Sequence, residues 1–237
     1  MDARAKSSAY WSLDGLKLGA RLGLPLVPGM IAFGIAVGSA GAAKGLTFVE
    51  NILMNALVYA GLSQMVALEV WPADMTPTAI IGLALVVFTV NARLLLFGAG
   101  LRPWLGTLPA WQVYPSLHLL TDPGWIIAMR YRSEGGADAA IILGGAFLFF
   151  IFWMAATTAG YLAGSLVSDP KAIALDLVMP IFFAAMLIPL WRGPKRAFAW
   201  AVAGVIALVF YYLVPGWWYV IAGSLAGIVV GGFIDDD

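Results

Sequence analysis

Residues 139–166 read AAIILGGAFLFFIFWMAATTAGYLAGSL, twenty-eight residues without one charged side chain. As a helix this stretch rises about 42 Å, and about 20 apolar residues suffice to cross the hydrocarbon of a bilayer. A helix at the surface of a soluble protein keeps a polar face, and none is present here. The remaining sequence has the same character: of 237 residues, 62% are hydrophobic and 11% charged. The mean hydropathy is +0.92. An average soluble domain is about 45–50% apolar and about 25% charged. A chain of this size cannot hide so much apolar surface from water, so the composition predicts an all-α polytopic membrane protein.

Other classes fall away. Thirteen basic and thirteen acidic residues leave no net charge, and no basic surface is available to follow a nucleic-acid backbone. The absence of cysteine removes disulfides, thiolate metal sites and cysteine nucleophiles. One histidine, His118, cannot build a multi-histidine metal cluster. No phosphate loop, haem or zinc spacing, or catalytic triad is present, so neither a cofactor nor an enzymatic activity is expected.

Hydropathy predicts about eight spans, at 22–43, 48–70, 77–100, 104–129, 139–166, 172–190, 197–214 and 217–234. Seven are also compatible with the pattern. The fourth is the weakest: Pro109, Pro115, His118 and Asp122 predict a broken or partly inserted segment. The stretch ending at Gly41-Ala42-Ala43 imitates a secretory signal, but Pro25 and Pro28 interrupt it and further spans follow. The chain is read as one transmembrane domain, residues 1–237. It comprises a cytoplasmic segment (1–21), a helical bundle (22–234) and an acidic tail (235–237). With eight spans and a cytoplasmic N-terminus, nine of the thirteen basic residues lie inside, three outside, and Arg93 within the third span. That asymmetry follows the positive-inside rule, sets both termini in the cytoplasm and favours eight spans over seven.

Leu24-Pro25-Leu26-Val27-Pro28 and Leu175-Asp176-Leu177-Val178-Met179-Pro180 open the first and sixth spans from opposite sides. They suggest an inverted repeat with broken helices, as in many transporters. Polar groups inside a membrane are costly and mark function or helix contacts. Five places stand out. Pro28 and Gly29 in the first span free backbone groups, for a ligand or simply for a kink. Gly61, Ser63 and Gln64 in the second, which also carries Asn51 and Asn55, offer a close approach and uncharged donors and acceptors. They suit a neutral or zwitterionic solute, or glue helices. Asn91 and Arg93 lie in the third span. Arg93 is placed to clamp a carboxylate, to pair with Glu50, Glu69 or Asp176, or to snorkel. Asp176 either carries a proton or ammonium partner or caps the sixth span. His118 and Asp122, four apart, share a face if that stretch is one helix, and would then relay protons. The tryptophans Trp71, Trp104, Trp111, Trp191, Trp217 and Trp218 read as an interfacial belt. The small-residue runs 38–42 and 223–227 read as intramolecular packing faces.

Ordered landmarks from about residue 15 to 234 resemble the AzlC-type branched-chain amino-acid permeases. They are Pro25 to Phe33-Gly34, Tyr59-Ala60-Gly61-Leu62-Ser63-Gln64, Asn91-Ala92-Arg93 with Phe97-Gly98, Leu120-Thr121-Asp122, and Asp176 with Pro180 and Ile188-Pro189. Leu94 and Asn55 depart from the family pattern, where histidine and serine are common. The resemblance implies a bacterial inner-membrane exporter of valine, leucine or isoleucine. It also implies a much smaller AzlD-type membrane subunit as partner, with this chain as the large subunit. In a carrier of that kind, Ser63, Gln64 and Asn91 bind the amino-acid backbone, and Arg93 serves the carboxylate or holds the geometry of the site. Asp176 balances the ammonium or carries a coupling proton. The competing expectations are a structural or regulatory subunit whose polar residues only join helices, and an intramembrane enzyme, for which no nucleophile–base pair is evident.

Overall fold

The computed structural model describes residues 9–165 and 193–235. Among the described residues every regular element is helical, beside one isolated bridge between Tyr10 and Asp138. In chain order the helices are α1 (Leu13–Gly23), a 3₁₀ turn (Leu24–Leu26), α2 (Val27–Ala43), α3 (Phe48–Leu53), a π-helical turn (Met54–Val58), α4 (Gly61–Glu69) and α5 (Pro77–Leu105). They continue with α6 (Ala110–His118), α7 (Asp122–Ser133), α8 (Ala140–Ser165), α9 (Pro194–Leu213) and α10 (Trp218–Asp235). Among the described residues three stretches are long and apolar enough to cross a membrane: Leu13–Ala43, Pro77–Leu105 and Ala140–Ser165. The predicted sixth span, with Asp176, Pro180 and the inverted repeat that depends on them, lies outside the described residues. The chain divides into two compact units, residues 1–61 with 92–166 and residues 62–91 with 167–237.

The first unit is organised by close packing of α1–α2 on α8. Gly15, Gly19 and Gly23 recur every fourth residue, as do Gly34 and Gly38, and Gly160 and Gly164 on the other helix. Helices with such faces bring their backbones into contact. A Cβ at Gly19 would fall on the Ile141 carbonyl, one at Gly38 on the Thr157 carbonyl and one at Gly160 on the Ile35 carbonyl. Ser39 Oγ donates to the Gly160 carbonyl at 3.0 Å. The contacts advance together, from Gly15 beside Asp138, through Gly23 beside Phe149 and Gly34 beside Ala156, to Gly164 beside Ser39. The two helices are therefore parallel.

One carboxylate ties their starts. Asp138 is 3% exposed. It accepts from the Ser12 amide at 3.2 Å, the Ala140 amide at 3.0 Å and the Ser12 hydroxyl. Ser12 in turn caps α1 by accepting from the Gly15 amide at 3.0 Å. Backbone bonds from Tyr10 N to Ala137 O and from Ala139 N to Tyr10 O complete the junction. This defines a Tyr10 end of the unit. At the opposite, Leu46 end, Tyr161 of α8 donates to the Leu46 carbonyl at 2.7 Å.

Two expectations are corrected here. The first span is not broken: the chain stays helical from Leu13 to Ala43, with only one tightened turn at Pro25. Pro25 and Pro28 each sit in the first turn of a helical segment, where a missing N–H costs little. Residues 13–21, expected in a cytoplasmic segment, are the first turns of this helix of about 46 Å. The fourth span is broken as predicted, but it does not run from one end of the unit to the other. α6 begins beside the Tyr10 end, where Trp111 meets Trp11 at 6.3 Å between ring centroids. α7 ends there as well, with Tyr131 beside Trp104, whose Nε1 donates to the Ala137 carbonyl at 3.2 Å. The helices rise about 13 Å and 18 Å and so form a folded-back hairpin. α5 ends at the same place, since Leu101, Trp104 and Leu105 share a core with Ala139 and Ile141. Residues 100–104 and 130–138, expected on opposite sides, therefore lie together.

In the second unit α9 and α10 form an antiparallel hairpin. Gly223 packs on Ala207 and the Ala203 carbonyl, and Gly227 packs on Ala203. Gly216, at φ 97°, makes the turn. The runs 38–42 and 223–227 both pack within the chain, as the sequence predicted. A Gly38→Val substitution should lower the midpoint of thermal unfolding in detergent by several degrees, since overpacking costs about 1–3 kcal/mol. Gly29→Ala, which meets nothing within 4 Å, should leave the midpoint unchanged.

Candidate functional site

The second span carries a break that the sequence did not place. α3 starts at a capping box, Thr47 with Glu50, and enters the first unit from the Leu46 end. It descends along α8: Phe48 meets Tyr161, Asn55 meets Trp153, and Tyr59 meets Phe150. The helix widens to a π-turn over Met54–Val58, and Tyr59 then takes a left-handed conformation, φ 42° and ψ 45°. Among the described residues Tyr59 is the only non-glycine residue with positive φ. Such backbone costs on the order of 1–3 kcal/mol and persists only where packing enforces it. Here the Tyr59 ring is 5% exposed and lies edge-on to Phe150 and Trp153, at 5.2 and 6.5 Å. α4 begins at Gly61, where a Cβ would stand 2.8 Å from Phe33 Cε1 and Trp153 Cη2. No larger residue fits this position while those rings stay in place.

Buried amides line the approach to the break. Trp153 Nε1 donates to Asn55 Oδ1 at 3.1 Å, and Asn55 Nδ2 donates to the Asn51 carbonyl at 2.8 Å. Asn51 and Asn55 are both 0% exposed. A serine at 55, common in the family, is too short to make both bonds. The departure noted in the sequence is thus a helix-to-helix bridge.

The second unit holds the uncharged pair. Ser63 and Gln64 lie in the first turn of α4 and are buried. Asn91 Nδ2 of α5 donates to Ser63 Oγ at 3.0 Å. The buried Asn91 Oδ1 accepts no hydrogen bond among the described residues.

The first unit holds the charged pair. Arg93 Nε donates to Asp122 Oδ1 at 2.7 Å and Nη2 donates to Oδ2 at 3.0 Å, a planar two-bond clamp. Asp122 is the first residue of α7, where Thr121 caps the helix and a carboxylate is favoured by the exposed amides. One turn further, Phe97 stacks on Trp125 at 4.6 Å. α5 and α7 therefore run parallel from this contact to the Tyr10 end. The side chains of the pair are 27% and 35% exposed.

Of the predicted site residues, Ser63 and Asn91 are brought together, and Gln64 follows Ser63 in the chain. Gly61 lines the break. Arg93 finds Asp122, a partner not anticipated among Glu50, Glu69 and Asp176. Pro28 and Gly29 point away from protein and join neither pair. His118 and Asp122 do not share a helical face: His118 ends α6, exposed, and the chain is non-helical before Asp122 starts α7. Asp176 lies outside the described residues. The sequence missed Trp153, the tryptophan in the middle of a span rather than at its end. A cavity of about 150 Å³ lies between the ends of α5 and α7, lined by Gly100, Leu101, Pro103, Trp104, Met129 and Arg132. It contains none of the predicted site residues.

A family model described as AzlC protein matches residues 25–167, more than half of the chain. The match includes Tyr59 to Gln64, Asn91 to Arg93 and Leu120 to Asp122, the landmarks that carried the resemblance. Among curated proteins, the inner membrane protein YgaZ of Escherichia coli (strain K12) is 24% identical over 228 residues, covering 90% of this chain and 86% of the relative. No solved structure matches.

The ion pair is partly open, so its net worth is modest. In a double-mutant cycle of Arg93→Ala and Asp122→Ala, followed by unfolding in detergent, the coupling should be about 1 kcal/mol. A His118→Ala/Asp122→Ala cycle should show none.

Proposed function

This chain belongs to the AzlC family, and on that basis we propose that it is a secondary transporter exporting branched-chain amino acids. It works in the bacterial inner membrane, with both termini in the cytoplasm, as the large subunit beside a small AzlD-type membrane protein. The observation that carries the reading is the Ser63–Asn91 hydrogen bond, with Asn91 Oδ1 left over in a buried position. Uncharged groups of this kind bind a zwitterion without imposing a net charge that the solute would have to neutralise. The free carbonyl oxygen of Asn91 accepts from a substrate ammonium, and Ser63 and Gln64 supply further polar contacts.

Arg93 and Asp122 carry the opposite charges of the same chemistry. A guanidinium already donating two hydrogen bonds to one carboxylate is arranged to donate the same pair to a substrate carboxylate. Asp122, displaced, is then a group that takes up a proton, which links export to the proton gradient. Asp176 remains a second candidate for that proton. The apolar side chains of the bundle, rich in Leu, Val and Phe, suit a branched aliphatic side chain.

Proteoliposomes holding this chain and its small partner should move labelled leucine in response to a pH step. Asn91→Leu should slow the initial rate about threefold to tenfold, the loss of one neutral hydrogen bond. Arg93→Ala should slow it roughly 10- to 100-fold, the loss of a charged one. Unchanged flux in both variants would remove these residues from the substrate's path.

A further inference from the structure

We propose that the cavity between the ends of α5 and α7 binds an anionic phospholipid, with its phosphate on Arg132 and an ester carbonyl on the indole N–H of Trp125. Every residue of this site lies in the first unit. The transport reading uses none of them.

Two helix faces make the cavity. On α5, Phe97, Gly100, Leu101 and Trp104 recur at helical spacing, and on α7 so do Trp125, Met129 and Arg132. The two helices run parallel here, and the faces meet at two places. Phe97 stacks on Trp125 at 4.6 Å, and the Arg132 guanidinium lies 5.5 Å from the centre of the Trp104 ring. Between these bridges Gly100 carries no side chain, and the gap of about 150 Å³ remains.

The gap offers donors and no acidic group. Trp125 Nε1 is buried and donates to nothing among the described residues. It stands 3.9 Å from where a Cβ at Gly100 would be, at the wall of the gap. An indole N–H left unpaired in such a place is costly, so a ligand oxygen is favoured there. Arg132 gives one N–H to the Gly136 carbonyl at 2.9 Å and has no carboxylate partner among the described residues. Most of its five donors remain for a ligand.

The charge of this end agrees. Arg102, Arg130 and Arg132 stand in the last turns of α5 and α7, and Glu134 answers only Arg130, at 3.0 Å. Two helix C-termini contribute about half a negative charge each, which leaves about one positive charge over. Asp138 does not cancel it, because that carboxylate already faces the amide-rich starts of α1 and α8.

The opening faces lipid. Gly100 and Pro103 are exposed, and Leu96, four residues before Gly100 on the same face, is 73% exposed. Trp104 and Tyr131 lie together at this end, and rings of that kind mark the headgroup level of spanning helices. From the end of α5 inward the site therefore reads guanidinium, indole N–H and apolar stripe. Along a phospholipid the order is phosphate, ester carbonyl and acyl chain. Arg132 stands at the level of Trp104 and Trp125 at that of Gly100, about 6 Å apart along α5. A free phosphate would occupy Arg132 alone and leave the indole N–H and the stripe unused.

Lipid-dependent stability of the full chain in detergent micelles tests this. Phosphatidylglycerol should raise the midpoint of thermal unfolding, and reach half its effect at a mole fraction roughly tenfold lower than phosphatidylcholine does. Arg132→Gln should cut that preference roughly fivefold, because glutamine can still donate to Gly136 but carries no charge. Trp125→Phe keeps a ring on Phe97 and loses the N–H, and should weaken the phosphatidylglycerol effect about threefold to tenfold. Gly100→Leu sits at an exposed position where a Cβ has no neighbour nearer than 3.9 Å. It should fill the gap and remove the preference with every charge intact. Arg102 is the control: it is exposed and turned about 200° from Gly100 around α5, so Arg102→Gln removes the same charge outside the gap. That variant should keep the preference. Equal response to the two lipids overturns the proposal. So do equal losses in Arg102→Gln and Arg132→Gln, which would mean that the whole basic end attracts the lipid surface. Full preference in Gly100→Leu overturns it even where Arg132→Gln does not fold. Glycerol phosphate at the same concentration should leave the midpoint unmoved, and a shift as large as the lipid's would assign the site to a free anion instead.

Discussion

Backbone contact between two parallel helices sets the frame for the first unit. Parallel helices place like ends of their dipoles together, an unfavourable arrangement that antiparallel neighbours avoid. Asp138 answers it. One nearly buried carboxylate stands where the amide-rich starts of α1 and α8 meet and accepts from both. Gly15 leaves room for it, since a Cβ there would overlap the carboxylate. The glycine faces then hold the helices within backbone contact for the rest of their length. With both ends identified, the direction of every other element in the unit follows from what it touches.

This rigid pair is also what makes the break in the second span tolerable. In lipid an interrupted helix must find partners for its freed groups or be sheltered by protein. α8 supplies the shelter. Trp153 contributes one N–H to Asn55 and makes T-shaped ring contacts with Phe33 and Tyr59. The left-handed Tyr59 is held by rings that belong to another helix. A strained residue imposed by tertiary packing in this way is a common mark of a working segment.

Much of this was legible in the residues. Hydropathy located the apolar segments, and the small-residue runs at 38–42 and 223–227 announced the helix contacts they make. The polar pair Ser63 and Asn91 was chosen for its chemistry, and the structure brings the two together although 28 positions separate them. What was not legible has a physical reason in each case. Prolines drew attention to the first span, but at the first turn of a helix they cost almost nothing. The true break has no proline, because its cause is the set of rings around Tyr59. Arg93 was offered three acidic partners by proximity in span order, and its actual partner came from a segment assumed to continue as one helix. Hydropathy measures how much apolar length is available, not whether that length is folded in half, so 104–129 counted as a crossing.

The distribution of charge between the two clusters bears on what such a carrier can move. Ser63 and Asn91 are neutral, and Arg93 and Asp122 cancel. Each cluster therefore carries no net charge of its own. A solute bearing one carboxylate and one ammonium can exchange with the internal pair one charge for one charge, without leaving an uncompensated ion at membrane depth. A solute with only one of those charges would strand either Arg93 or Asp122, at a cost of several kcal/mol for an unpaired ion in such surroundings. On the proposed transport reading, selectivity for amino acids over amines or simple carboxylates would arise from the pairing of Arg93 with Asp122, and the apolar helix faces would distinguish one aliphatic side chain from another. Those faces discriminate weakly, since one methylene is worth about 1–3 kcal/mol at most. On that reading the carrier would accept a set of related aliphatic amino acids rather than one.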